Sequence, residues 1–93
     1  NTIRRNVIQN NSRNGVMMYT FSYHNDFNVI SNNSILQNRL YAVNIGTGCA
    51  YNTISRNNII NNGEKYQACD KGENNTFTQN YWNPWNSTDA DDD

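Results

Sequence analysis

Asparagine and apolar residues recur along this chain with a five-residue step, in a frame that is repeated four times. The copies begin at Asn1, Asn28, Asn52 and Asn75, and each holds an apolar residue at its third and eighth positions. The clearest copy reads NTISRNNIINN, residues 52–62. A five-residue step fits neither the 3.6-residue period of a helix nor the two-residue period of one unbroken strand. It indicates a short strand, a sharp corner and another short strand.

Aligning the copies predicts which residues stack on one another. Asparagine suits a corner because it tolerates left-handed backbone and bonds nearby backbone groups, and stacked corners let the amides bond each other in a ladder. The asparagine columns are Asn1, Asn28, Asn52 and Asn75; Asn6, Asn33, Asn57 and Asn80; and Asn11, Asn38 and Asn62, with Trp85 at the fourth place. The apolar columns, predicted to face the core, are Ile3, Ile30, Ile54 and Phe77, then Ile8, Ile35, Ile59 and Trp82.

Successive copies start 27, 24 and 23 residues apart. This spacing predicts an all-β fold, a right-handed parallel β-helix of about four coils of 23–27 residues. Residues 16–23, 40–45 and 65–69 are the strand candidates for the third side of each coil, and the long first arc predicts a bulge near residues 21–26. Because Asn1 opens a copy with no capping segment before it, we expect a C-terminal piece of a longer solenoid, with more coils upstream.

The chain divides into two parts on this interpretation. Residues 1–85 form the coils, and their last aromatic residues close the core, with Pro84 stopping further strand pairing. Residues 86–93 form an acidic tail. The closing residues are Phe77, Tyr81, Trp82, Pro84 and Trp85.

The frame Asn-x-Ile-x-x-Asn-x-Ile-x-x-Asn resembles the repeat of NosD-like, pectin-lyase-like solenoids, a class named for carbohydrate-binding proteins and sugar hydrolases. The ending NNTFTQNYWNPWNSTDADDD is similar to the way in which many NosD-like surface proteins finish their stack. The resemblance implies export to the periplasm, the cell surface or the extracellular space. It also implies either polysaccharide contact or an accessory role in copper-site assembly. The same solenoid carries many functions, so the resemblance does not choose between them.

Composition removes several classes of function. Hydrophobic residues make up 35% and charged residues 16% of the chain, and the net charge is -1. The five arginines are dispersed, whereas nucleic-acid binding needs a clustered basic face. The chain also has no run of the ~20 apolar residues that a membrane helix requires. We therefore expect neither nucleic-acid binding nor membrane insertion.

Aromatic residues are the candidates for carbohydrate contact. Tyr19, Phe21 and Tyr23 alternate, which places them on one face of a strand. If that face points outward, the rings form platforms for sugars, and if it points inward they are core. Tyr41, Tyr51 and Tyr66 are candidate neighbours from later arcs.

Two metals are candidates, each with its own residues. Met17, Met18 and His24 offer the thioether and imidazole ligands that suit copper, although adjacent strand residues point to opposite faces, so one methionine belongs to the core. Asp89, Asp91 and Asp93 have the spacing that opens many calcium loops, without the glycine and distal glutamate that follow in such loops. A mobile acidic end is the alternative reading of the tail.

Catalysis is not expected in this segment. A glycosidase needs two carboxylates at a defined separation, and before Glu64 the chain has only Asp26. Glu64, Asp70 and Glu73 could gather at one edge, or remain solvated loop acids. Arg5 and Arg56 share a column with Asn32 and Gln79, so no basic stripe forms. The leading interpretation is a non-catalytic scaffold or glycan-contacting module; the rival is a polysaccharide lyase or hydrolase whose active residues lie on other coils.

The sequence does not decide whether the two cysteines form a disulfide or whether the four glycosylation sequons are modified. Cys49 and Cys69 fall on consecutive coils but about four residues out of register, so a disulfide and two free thiols both remain possible. Asn-x-Ser/Thr sequons are frequent by chance in a chain with 21 asparagines. They begin at Asn10, Asn32, Asn74 and Asn86.

Overall fold

The computed structural model of this chain describes residues 1–19, 25–63 and 66–84. Three short strands make up each coil. The first coil holds β1 (Thr2–Arg4), β2 (Val7–Gln9) and β3 (Val16–Met18); the second holds β4 (Val29–Ser31), β5 (Ser34–Leu36) and β6 (Val43–Ile45); the third holds β7 (Thr53–Ser55), β8 (Asn58–Ile60) and β9 (Ala68–Asp70); and a fourth begins with β10 (Thr76–Thr78) and β11 (Tyr81–Asn83). The predicted parallel β-helix is confirmed, with three complete turns and two sides of a fourth in the described residues.

Corresponding strands of successive coils pair in parallel and form three sheets. Sheet A is β1-β4-β7-β10, sheet B is β2-β5-β8-β11, and sheet C is β3-β6-β9. Sheets A and B have the register that the repeat predicts, since Ile3 pairs with Ile30, Ile30 with Ile54 and Ile54 with Phe77. The third-side strands span three residues each and so are shorter than the segments predicted for them.

The core lies inside the coils, and each strand of sheets A and B contributes one side chain to it. The middle residue of every strand in sheets A and B points inward, and Ile30, Ile35, Ile54 and Ile59 have no exposed surface. Their counterparts in the first and fourth coils are only partly buried, because each has a neighbouring coil on one side alone. Sheet C adds two inward residues from each strand, such as Val43 and Ile45. A few apolar residues per coil therefore fill the core, which explains the low apolar content.

The predicted asparagine ladders are present, and their members in the second and third coils are buried with the exception of the half-buried Asn28. Asn57 illustrates the pattern: its Oδ1 accepts hydrogen bonds from the backbone N–H of Asn33 at 2.9 Å and from Asn33 Nδ2 at 3.1 Å. Its own N–H and Nδ2 donate to Asn80 Oδ1, both at 3.0 Å, and Nδ2 also donates to the carbonyl of Ile30. Each ladder thus has a direction, from donors in one coil to an acceptor in the next.

Left-handed backbone lies one residue before each ladder asparagine, which corrects the expectation that the ladder asparagine itself would adopt it. Arg56, for example, has φ 54°, and Asn57 follows it. Turning the chain at the preceding residue aims the asparagine side chain inward, where it can reach the coils above and below. The non-glycine residues with positive φ in the described ranges are Arg5, Asn10, Phe27, Asn32, Gln37, Tyr51, Arg56, Asn61, Asn74 and Gln79.

The third ladder ends on a glutamine that the repeat does not contain. Gln67 is fully buried, and its Oε1 accepts from the N–H of Asn62 at 2.9 Å and from Asn62 Nδ2 at 3.1 Å. Its Nε2 donates to the carbonyl of Pro84 at 2.8 Å. Gln67 therefore supplies the acceptor that an asparagine at position 85 would have given.

Candidate functional site

The predicted carbohydrate-contacting aromatics do not form one group. Tyr19 is exposed and directly follows β3. Tyr41 lies two residues before β6 and Tyr66 lies two residues before β9, and the first residues of these two strands pair with each other. Tyr19 therefore lies where the strands of sheet C end, and Tyr41 and Tyr66 lie where they begin. Phe21 and Tyr23 lie outside the described residues, so the alternating array stays a prediction.

Tyr41 and Tyr66 are neighbours in consecutive coils, and both are half-buried. Burial raises the pKa of Tyr41 above its ordinary value of 10.0, and the nearby Cys69, which hydrogen-bonds with the tyrosine side chain, raises it further. A protonated hydroxyl at this place is a hydrogen-bond donor throughout the neutral range. The pair presents a partly covered edge to solvent.

An exposed aromatic pair lies at the corner before sheet A; the sequence interpretation named one of its members, Tyr51, but not the other, Phe27. The rings of Phe27 and Tyr51 stack with centroids 5.4 Å apart and an interplanar angle of 7°. Their side chains remain 70% and 54% exposed. A sequence signal was available, because both residues directly precede the first asparagine of a copy and so belong to one column.

The backbone under this aromatic pair is held on both sides. The N–H of Phe27 donates to the carbonyl of Ala50 at 3.3 Å, and Asp26 Oδ1 accepts from the N–H of Ala50 at 2.9 Å. Asn52 Nδ2 donates to the carbonyl of Asn25 at 3.1 Å. These bonds join the two coils immediately beside the rings, so the pair is a preorganised apolar surface.

The two methionines point to opposite faces of sheet C, as predicted. Met18 is buried in the core, while Met17 is 52% exposed. Asn14 Nδ2 lies 3.6 Å from the Met17 sulfur. His24 lies outside the described residues. Among the described residues, no group of three or more His, Cys, Asp and Glu side chains could hold a metal ion.

Two of the described acidic residues, Asp26 and Asp70, accept structural hydrogen bonds. Asp70 is buried, and its Oδ1 accepts from the N–H of Gly72 at 2.9 Å and from Asn75 Nδ2 at 3.0 Å. Asp70 and the exposed Glu73 line a cleft of about 360 Å³. Glu64 lies outside the described residues, and so do Asp89, Asp91 and Asp93, for which calcium binding stays a prediction.

Cys49 and Cys69 are not joined by a disulfide, and both are buried. Cys69 pairs in register with Asn44, five residues before Cys49, so the two sulfurs belong to different positions around the coil. Burial raises the pKa of the Cys49 thiol above its ordinary value of 9.0, against backbone hydrogen bonds at Asn25 and Gly46 that lower it. A buried, protonated thiol is a small apolar group rather than a nucleophile.

Comparisons with known proteins agree with the architecture. The family model described as "Periplasmic copper-binding protein (NosD)" matches residues 1–93. Searches of curated proteins and of solved structures found no match. In the described residues no helix is long and apolar enough to cross a membrane. The repeat frame, the stacked parallel coils and the match along the entire chain show that this protein belongs to the NosD family.

Proposed function

We propose that this chain is a non-catalytic scaffold module of a periplasmic NosD protein, which contacts polysaccharide of the cell envelope through exposed aromatic side chains. One observation carries the scaffold role: the buried polar side chains of the described residues bond neighbouring coils together. Asn33, Asn57 and Asn62 each bond to a side chain or backbone group of another coil. The family description supports the periplasmic location.

The polysaccharide contact is supported by the stacked pair of Phe27 and Tyr51. Exposed aromatic rings gain free energy when an apolar sugar face covers them, and rings that are already fixed lose little side-chain entropy on binding. Tyr19, Tyr41 and Tyr66 are further contacts for an extended glycan. The rings at the corner and those on sheet C lie on different sides of the coil, which favours a chain that wraps around the solenoid over a compact sugar.

Titration with neutral and acidic oligosaccharides tests this proposal. We expect binding without cleavage, and we expect Tyr51→Ala to weaken it about fivefold to tenfold, since one aromatic contact contributes roughly 1 kcal/mol. Tyr81→Ala is the matched control, because Tyr81 is equally exposed but lies on sheet B. Cleavage of an oligosaccharide would contradict the proposal and favour the lyase or hydrolase alternative, and unchanged binding by Tyr51→Ala would remove the corner pair from it.

Copper handling is the second candidate function. The family description and the exposed thioether of Met17 support it, because thioethers bind Cu(I). In a Cu(I) titration we expect Met17→Leu to lose binding and Met18→Leu to retain it. A titration that leaves the NMR signals of His24 and of the Met17 methyl group unchanged would rule this candidate out.

A further inference from the structure

The outer face of sheet A is built from two straight columns of side chains. Each strand of this sheet turns its middle residue into the core, so its first and third residues point outward. Because all four strands pair in register, the first residues stack above one another, and so do the third residues. The first column consists of Thr2, Val29, Thr53 and Thr76.

The second column is also rich in hydroxyl groups. Threonine alone would be explained by the preference of β-branched residues for strands, but serine has no such preference, and it occupies two of the four places. Sheet B has no comparable pattern, since Val7, Ser34, Asn58 and Tyr81 stack there. Six of the eight outward residues on sheet A therefore carry a hydroxyl, and the second column consists of Arg4, Ser31, Ser55 and Thr78.

These hydroxyl groups form a regular lattice. Neighbouring strands are ~4.8 Å apart, and alternate residues of one strand are separated by ~6.7 Å. Sheets normally twist, but side-chain ladders hold stacked strands flat. Sheet A lies between two such ladders, which include Asn52 and Asn57. We therefore expect the spacing between hydroxyls to be nearly constant over the four coils.

The hydroxyl groups of this lattice take no part in hydrogen bonds within the described residues: none of its serine or threonine hydroxyls forms a hydrogen bond with another protein group. A single exposed hydroxyl gains little from a ligand, because it gives up an equally good bond to water. Several hydroxyls gain together only when the ligand repeats with the same spacing and is already ordered, since little entropy is then lost. The face therefore fits a periodic solid surface better than a flexible molecule.

We propose that the outer face of sheet A binds the ordered water lattice of an ice surface. The chemistry of the face favours ice over a crystalline polysaccharide, because none of its eight side chains is aromatic and sugar rings are held mainly by stacking. Only Arg4 is charged, and it stands at the edge of the array. The methyl groups of Thr53 and Thr76 add small apolar surfaces between the hydroxyls, which lets ordered water sit close to the sheet. This inference is independent of the glycan and copper proposals.

Partition into slowly growing ice tests the proposal. Protein in the ice and in the remaining liquid is measured by ultraviolet absorbance, and ice recrystallisation is followed in parallel. We expect the native chain to be enriched in ice and Thr53→Tyr to be excluded like an unrelated globular protein, because a large ring in the centre of the face lifts it from the lattice. Asn58→Tyr is the matched control, on sheet B of the same coil, and should remain enriched. Thr53→Val, which keeps the shape and loses one hydroxyl, should show a partial loss.

Circular-dichroism melting curves establish that each variant is folded. If Thr53→Tyr does not fold, Thr53→Val is the variant that tests the face. Exclusion of the native chain from ice would overturn the proposal. Equal enrichment of Thr53→Tyr and Asn58→Tyr would also overturn it, since another face would then be responsible. Adsorption to microcrystalline cellulose without enrichment in ice would assign the face to polysaccharide instead.

Discussion

Single asparagine side chains carry much of the cohesion between coils. A buried amide needs partners for two donor hydrogens and for its oxygen, and each ladder position supplies them. Asn57 bonds Asn33 in the coil before it and Asn80 in the coil after it, with its second amide hydrogen on the carbonyl of Ile30. No other residue type of this size offers an acceptor and two donors in one plane, which explains the repetition of asparagine in the frame.

Asn57→Ala should destabilise the protein strongly. The substitution leaves the backbone N–H of Asn33 and one hydrogen of its Nδ2 without an acceptor. It also takes the Nδ2 donor away from Asn80 Oδ1 and from the carbonyl of Ile30, while the backbone N–H of residue 57 still reaches Asn80. Each buried unsatisfied group costs roughly 1–3 kcal/mol. We expect the free energy of unfolding to fall by at least about 2 kcal/mol, measured by urea denaturation. The neighbouring Asn58 is exposed and outside the ladders, so Asn58→Ala should change stability by less than about 0.5 kcal/mol. Equal losses in the two variants would contradict a structural role for the ladder.

The turns between the strands of a frame are very short. Each strand has three residues. After the strands of sheets A and B, β11 excepted, a left-handed residue redirects the chain. A non-glycine residue in that conformation costs roughly 1–2 kcal/mol. The ladder bonds formed by the next residue offset this cost. Between the arcs and the frames the chain uses glycines, and some of them lie directly against the backbone of the adjacent coil.

Gly72→Ala should be poorly tolerated for this reason. A Cβ atom at Gly72 would overlap the carbonyl oxygen of Cys49 and would lie 2.7 Å from Asn75 Nδ2. We expect a loss of about 1–3 kcal/mol in thermal or urea unfolding, the range for overpacked sites. Gly46→Ala is the control, because its Cβ would meet nothing closer than the carbonyl oxygen of Met18 at 3.2 Å. If Gly46→Ala were the more damaging change, the coil spacing described here would be wrong at this corner.

The solenoid as a body is held together by contacts between adjacent coils. Every paired strand bonds the strand one coil earlier or later, so stability is approximately the sum of the interfaces between coils. A change at one interface therefore acts on the unfolding of the entire stack. The titration of buried groups that lie between coils should likewise change the free energy of unfolding of the stack.

Stability should decline in alkaline solution. The pKa values of Cys49 and Tyr41 are raised in the folded state, so the folded protein holds these protons more tightly than the unfolded chain. Their contribution is complete below the unfolded values of 9.0 and 10.0 and is lost as pH rises through the folded values. Urea denaturation between pH 7 and pH 11 should show this fall, and Tyr41→Phe should remove its upper part. A midpoint that does not change with pH over that range would contradict these shifts.

The repeat frame predicted the sheets, the ladders and the core correctly, while the arcs were predicted less well. In the frame, the column that contains Ile54 and the column that contains Asn57 are both where the alignment places them. The arcs have no periodic chemistry, so the strand segments were drawn too long. The candidate site shows the same difference between frame and arc. The alternation at Tyr19 was visible in the sequence, but the stacking of Phe27 on Tyr51 was missed because these two residues lie in different arcs.

Periodic positions are readable from the amino-acid order because stacking repeats the same local environment every 23–27 residues. A buried isoleucine or a bridging asparagine meets a copy of itself above and below, so one alignment describes all its contacts. Positions between the copies meet unlike neighbours, and their contacts depend on the path of each arc through space. Packing in three dimensions thus placed Gln67 at the end of a ladder, kept Cys49 and Cys69 apart, and set left-handed backbone one residue before each ladder asparagine.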